Sequence, residues 1–307
     1  MAKIKSCQFI KVKRLWQRSY TSMATSLLLR HSSAVFFSQS SFFFTKNNSF
    51  RSFSSIKMER GEASEEKDAV KTTKKVFVAG ATGKTGKRIV EQLLSRGFAV
   101  KAGVRDVEKA KTSFKDDPSL QIVRADVTEG PDKLAEAIGD DSQAVICATG
   151  FRPGFDIFTP WKVDNFGTVN LVDACRKQGV EKFVLISSIL VNGAAMGQIL
   201  NPAYIFLNLF GLTLVAKLQA EKYIRRSGIN YTIVRPGGLK NDPPTGNVVM
   251  EPEDTLYEGS ISRDLVAEVA VEALLQEESS FKVVEIVARA EAPKRSYKDL
   301  FASVKGH

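Results

Sequence analysis

Histidine is almost missing from this 307-residue sequence: the two that occur are His31, near the start, and His307, the last residue. The folded part therefore has no internal imidazole, which excludes histidine-based triads and histidine-ligated zinc. Cysteine is as sparse. Cys7, Cys147 and Cys175 are too far apart for a metal-ligand pattern and imply no disulfide framework, so no metal site is expected. Acidic residues are absent from positions 1–58, a stretch with ten Lys and Arg, and this imbalance accounts for the whole net charge of +10. With the excess confined there, the remainder is neutral and offers no electrostatic footprint for nucleic acid. Chemistry must come from Lys, Tyr, Ser, carboxylates or a bound cofactor.

The acid-free stretch is rich in Ser and carries Arg14, Arg18, Arg30 and Arg51, the composition of an organelle transit peptide. A secretory signal would need a compact apolar core, and here the short runs 27–29 and 42–44 are broken by Ser, Arg and Lys. Residues 59–74 are highly charged and read as a solvated linker, so the folded domain is expected over 75–307.

From Lys75 onward, short β-branched runs alternate with amphipathic stretches. The strand-like runs are 76–79, 99–103, 121–123, 144–147, 183–186, 231–234 and 283–287, and they are nearly unbroken, as strands covered on both faces should be. Helices are expected at 84–95, 107–114, 132–138, 161–178, 203–227 and 263–276. This alternation predicts an α/β fold: a doubly wound parallel sheet of about seven strands in one domain, the Rossmann arrangement.

The first run leads directly into Gly80-Ala81-Thr82-Gly83-Lys84-Thr85-Gly86, followed by a helix with Ile89, Val90, Leu93 and Leu94 on one face. Gly80 permits the tight turn, Gly83 lets backbone N–H groups approach a pyrophosphate, and Gly86 allows the helix to press on the strand. A Walker phosphate loop needs four residues between its glycines and then Gly-Lys-Ser/Thr, which is not the spacing here. The Gly-x-x-Gly-x-x-Gly spacing resembles instead the extended and atypical short-chain dehydrogenase/reductases, including the NmrA-like group.

Cofactor choice is set at the end of the second strand, where an acid binds the ribose 2′-OH and an Arg accepts a 2′-phosphate. Arg105 fits NADPH, with Lys84 and Arg88 adding positive charge, while Asp106 keeps NADH as the alternative. The resemblance further implies that Asp126 and Val127 lie near the adenine, that Ala148, Thr149 and Gly150 pass under its ribose, and that Arg235-Pro236-Gly237 turns beside the nicotinamide.

Members of this superfamily do their proton chemistry with a Ser, a Tyr and a Lys four residues after the Tyr. Ser188 and Lys217 match the Ser and Lys, but the position four before Lys217 is Thr213. An aliphatic hydroxyl is a far weaker acid than a phenol, so ordinary carbonyl reduction is not expected. Tyr204 has the wrong spacing. Lys217 remains able to bind the nicotinamide ribose, and Asn165 sits where related enzymes hold a relay asparagine. The same departure from Tyr-x-x-x-Lys occurs in flavin and biliverdin reductase-like proteins. It occurs also in a plant plastid group related to the redox-sensing subunit of the chloroplast import machinery. The chain resembles that plant group through Val163-Asp164-Asn165-Phe166-Gly167-Thr168-Val169-Asn170-Leu171-Val172-Asp173-Ala174 and Asn230-Tyr231-Thr232-Ile233-Val234-Arg235-Pro236-Gly237-Gly238-Leu239. The kinship favours a chloroplast location over a mitochondrial one.

Residues 189–216 contain no charged side chain. Asn201-Pro202, Asn208 and Gly211 interrupt this substrate-side segment, and its helical part is shorter than the roughly 20 residues that span a bilayer. A core helix with a packed lid, an apolar substrate pocket and a contact with a lipid surface or partner all remain open. Two functions fit: an NADPH-dependent reductase of a conjugated apolar acceptor such as a flavin, quinone or tetrapyrrole, or a non-catalytic NADPH-binding redox sensor touching a membrane or protein partner. Nothing in the residues speaks to oligomeric state.

Overall fold

The computed structural model describes residues 74–150, 156–209 and 211–306. The leader expected over 1–58, and all of the linker but its last residue, lie outside the described residues.

Strand β1 (Lys75–Ala79) runs into helix α1 (Lys84–Ser95), and the alternation continues with β2 (Ala99–Val104), α2 (Val107–Lys111), β3 (Leu120–Arg124), α3 (Pro131–Ile138) and β4 (Ala144–Cys147). A π-helical stretch, Trp161–Phe166, then merges into α4 (Gly167–Lys177), which leads to β5 (Lys182–Ile186). Two helices follow, α5 (Pro202–Leu209) and α6 (Thr213–Arg226), and then β6 (Asn230–Pro236), β7 (Gly238–Lys240), β8 (Asn247–Pro252) and β9 (Ser260–Ser262). Helix α7 (Arg263–Leu275), β10 (Lys282–Arg289) and α8 (Tyr297–Ser303) complete the described chain.

The main sheet has eight strands in the order β3-β2-β1-β4-β5-β6-β10-β8, and every pairing is parallel except β10 with β8. The seven expected runs are its seven parallel strands. The eighth, antiparallel edge strand β8 was not expected; only part of it is buried, as a sheet edge allows. Strands β7 and β9 form a separate two-stranded sheet.

Alternate residues of the central strand feed two cores. Val76 and Val78 join Ile89, Val90 and Leu93 of α1 and Val266, Val269 and Ala270 of α7 on one face. Phe77 and Ala79 meet Leu134 and Ile138 of α3 and Leu171 and Val172 of α4 on the other. Covering both faces leaves the sheet open to ligands only at its edges and strand ends, and the order reverses between β1 and β4, where doubly wound folds bind them.

The single helix expected over 203–227 is instead α5 and α6, bent by 86°. Gly211 (φ +90°) and Leu212 (φ 59°) both take left-handed backbone, which an α-helix cannot continue through. No single helix among the described residues is long and apolar enough to cross a membrane; only α5 and α6 taken together reach that length and composition.

Candidate cofactor and active site

The β1–α1 turn is shaped by contacts that only glycine permits. Gly80 takes left-handed backbone (φ +75°), and a Cβ on Gly86 would stand 2.2 Å from the Gly80 carbonyl oxygen. Any side chain at Gly86 would push the helix off the strand. Gly83 is the residue before α1, no side chain caps the helix, and no acid occupies its first turn, so its leading N–H groups keep their positive field. Thr82 and Lys84 are exposed on the turn and Thr85 is buried beneath it. Such a cradle accepts a pyrophosphate and would be filled by a Cβ, so the residues present fit a dinucleotide.

At the end of β2 the two neighbouring charges have different employment. Asp106 caps α2 by accepting a bond from the Lys109 backbone N–H at 3.0 Å. Arg105 is exposed and makes no ion pair among the described residues. Arg88 does not add to a free positive patch as expected, because its guanidinium pairs with Asp264 at 2.8 Å and donates to the Lys84 carbonyl. Lys84 and Arg105 are the exposed cations left near the turn.

Behind these, buried charge gathers beside β5 and β6. The Lys217 ammonium on α6 pairs with Asp164 of the π-helical stretch at 2.7 Å, and Asp164 is wholly buried. Burial by itself lowers the Lys217 pKa, but the Asp164 and Glu221 carboxylates more than reverse this and hold it above the ordinary lysine value. At neutral pH Lys217 is therefore a fixed positive charge and a poor proton donor. Glu221, one turn further along α6, accepts a 2.5 Å bond from the Ser187 hydroxyl and a 2.7 Å bond from Arg235. The Arg235 guanidinium, 1% exposed, also meets Asp254 at 2.7 Å, Glu285 at 3.2 Å and Glu253 at 3.4 Å. Burial pushes the Glu285 carboxyl up although three backbone N–H groups and Arg235 bond to it. The Cys147 thiol is also raised by burial, so it stays protonated and is no nucleophile.

Residues 80–277, more than half the chain, match the model of a family described as NAD(P)H-binding. The chain belongs to that family. A second model, for an OstA-like protein, matches residues 4–70. A chloroplastic protein of Arabidopsis thaliana, At2g34460, is 94% identical over 284 residues, covering 92% of this chain and 100% of the relative. The chain is also 40% identical to Protein TIC 62, chloroplastic, of Pisum sativum over 261 residues, which is 78% of this chain but 47% of TIC 62. It thus spans about half of that relative. Among solved structures, the oxidoreductase ylbE from Lactococcus lactis matches with a TM-score of 0.60 at 25% identity, covering 75% of this chain and 95% of that one. The protein is an atypical, NmrA-like short-chain dehydrogenase/reductase of oxidoreductase type. It is chloroplastic, and its cofactor is a nicotinamide dinucleotide.

In this member of the NAD(P)H-binding family, most of the residues singled out from the sequence lie just past the carboxyl ends of β1, β2, β3, β4, β5 and β6, with Asn165 and Lys217 on helices. The Ala148 carbonyl lies 3.0 Å from where a Gly80 Cβ would sit, so Ala148 and Thr149 border the glycine turn, and Gly150 follows them, exposed. Thr149 Oγ1 approaches Cys147 Sγ at 3.2 Å. Asp126 spends one carboxylate oxygen on the Thr128 backbone N–H and hydroxyl, and Val127 is buried against α4. Ser188 is half-buried just past β5. Asn165 is 8% exposed on the π-helical stretch, beside Asp164.

Arg235 departs from the expectation. Its side chain does not face the cofactor turn but is spent on carboxylates in the interior; Pro236 and Gly237 keep the turn, with Gly237 N–H donating to the Ile286 carbonyl. Asp164 and Glu221 were not foreseen as site residues. Their signal was present, because an acid on the inward face of a mostly apolar helix needs a cation, and Lys217 and Arg235 were already marked for their motifs.

Proposed function

We propose that the protein is an NADPH-dependent reductase of a conjugated, largely apolar acceptor, of the flavin, quinone or tetrapyrrole kind, working without a phenolic proton donor. The observation that carries this reading is the buried Lys217–Asp164 pair with Thr213 one helical turn before it. The usual lysine is kept and held charged, and the usual phenol is replaced. When bound, the reduced nicotinamide supplies a hydride, and the acceptor's second hydrogen comes from water as a proton. On this reading Lys217 orients the nicotinamide ribose through its hydroxyls, Asp164 fixes the direction of the ammonium, and Ser188 and Asn165 border the acceptor. Preference for NADPH over NADH rests on Arg105, exposed and unpaired, against Asp106, occupied in capping α2.

A second reading is favoured by one feature. Ile199, Leu200, Ile205, Phe206 and Leu209 are all exposed, and α5 buries none of its residues. That surface suits a redox sensor contacting a membrane surface or protein partner. NADPH oxidation with a panel of flavins, quinones and tetrapyrroles separates the two. The reductase reading expects turnover that falls at least about a hundredfold in the Lys217→Met/Asp164→Asn double variant, which leaves no lone buried charge. NADPH binding with no turnover on any acceptor leaves the sensor.

A further inference from the structure

Two buried polar atoms at the bend between α5 and α6 have no hydrogen-bond partner among the described residues: the Thr213 hydroxyl and the Asn208 side-chain nitrogen. Thr213 is 7% exposed. An unsatisfied buried donor costs about 1–3 kcal/mol, so native proteins seldom keep one without a use. Here there are two at one bend. The Asn208 amide is fixed in place, because its oxygen accepts the Leu214 backbone N–H at 3.1 Å across the bend, and this leaves its nitrogen beside the first turn of α6. Thr213 is likewise fixed: it opens α6 behind Leu212, whose left-handed backbone (φ 59°) is strained for a leucine. Thr213 and Lys217 are one turn apart on one helix face, about 5–6 Å between Cβ atoms.

We propose that the Thr213 hydroxyl and the Asn208 amide nitrogen form a two-donor site for a carbonyl oxygen of the acceptor, which narrows the substrate class to conjugated carbonyl compounds of the quinone or enone type. This rests on the reductase reading. As electrons enter such an acceptor, negative charge grows on its oxygen, and two fixed donors in a site shielded from water stabilise that charge without themselves losing a proton. Thr213 thus stands in for the missing phenol as a hydrogen-bond donor, and the proton arrives later from solvent. Access to both atoms requires the leading part of α5, before Asn208, to move aside while the bond from Leu214 N–H keeps Asn208 in place, and Ile205 and Phe206, both exposed, yield at small cost.

The test uses Thr213→Val, which keeps the shape and removes the donor, and Asn208→Asp, which keeps the bond from Leu214 N–H and removes the amide hydrogens. Thr213→Ser restores the hydroxyl. Thermal unfolding, NADPH affinity, a naphthoquinone's affinity in the presence of NADP⁺, and kcat and KM with the same quinone are measured for each. Expected are unchanged NADPH affinity, an unfolding temperature for Thr213→Val equal to or above that of the parent, weakened quinone binding, a kcat lowered about a hundredfold in either donor-removing variant, and recovery to within about threefold in Thr213→Ser. Parental kcat and quinone affinity in Thr213→Val would overturn the two-donor site and leave the reductase reading standing. Turnover of a flavin but of no quinone or enone would do the same. A parent protein that neither binds nor reduces any acceptor brings down both.

Discussion

The phosphate turn and the charged interior behind it share the carboxyl edge of one sheet but are built on opposite principles. The turn is one continuous segment, Gly80 to Gly86, whose shape comes from missing side chains and whose working groups are backbone N–H. The interior gathers Asp164, Ser187, Lys217, Glu221, Arg235, Glu253, Asp254 and Glu285 from helix, strand and loop, and it is built around charged side chains. The first can be preserved by local sequence alone. The second stands or falls as a set, because a buried charge is tolerable only while its partners are present. The glycine turn is thus locally encoded, and the charged interior is held by long-range balance.

The sharpest break of this comparison is Arg235→Met. Four carboxylates lose their shared cation, and urea unfolding should show a loss of about 3–5 kcal/mol, much of the stability of an ordinary domain. A loss below about 1 kcal/mol would mean that the cluster is solvated and that the contrast drawn here is false. Gly86→Ala comes next. With 2.2 Å between the new Cβ and the Gly80 oxygen, the turn must open, and titration should show NADPH affinity falling at least about tenfold. Binding within twofold of the parent would take the dinucleotide away from this turn. The smallest effect sharpens the picture at the turn's rim. Arg105→Ala should weaken NADPH by roughly tenfold, the worth of one charge-assisted bond, and leave NADH unchanged; equal losses for both coenzymes would remove Arg105 from cofactor selection.

Much of this was legible in the chain itself. The seven parallel strands announce themselves as unbroken apolar runs because both faces of the sheet are covered, and the glycine spacing reveals the turn because Gly80 and Gly86 leave no room for a side chain. The edge strand β8 escaped notice because its paired residues in β10 lie 32 to 42 positions away and its own residues are only partly apolar. Gly211 was read as an interruption of the uncharged segment, but that the chain turns sharply there into two helices shows only in the left-handed backbone of Gly211 and Leu212.

Side-chain roles divided along the same line. Lys217 was marked by its motif, yet the motif could not say that Asp164 holds it charged, and Arg235 was assigned to the cofactor although four acids claim it. The sequence by itself determined the strand order's raw material, the glycine turn, the acid-free composition of positions 1–58 and the absence of a phenol four residues before Lys217. Only the tertiary structure decided which charges are paired, which donors are left without partners and which apolar residues face outward. The reason is physical: backbone shape depends on neighbours a few residues away, whereas the fate of a buried charge or hydroxyl depends on groups that the fold brings from far along the chain.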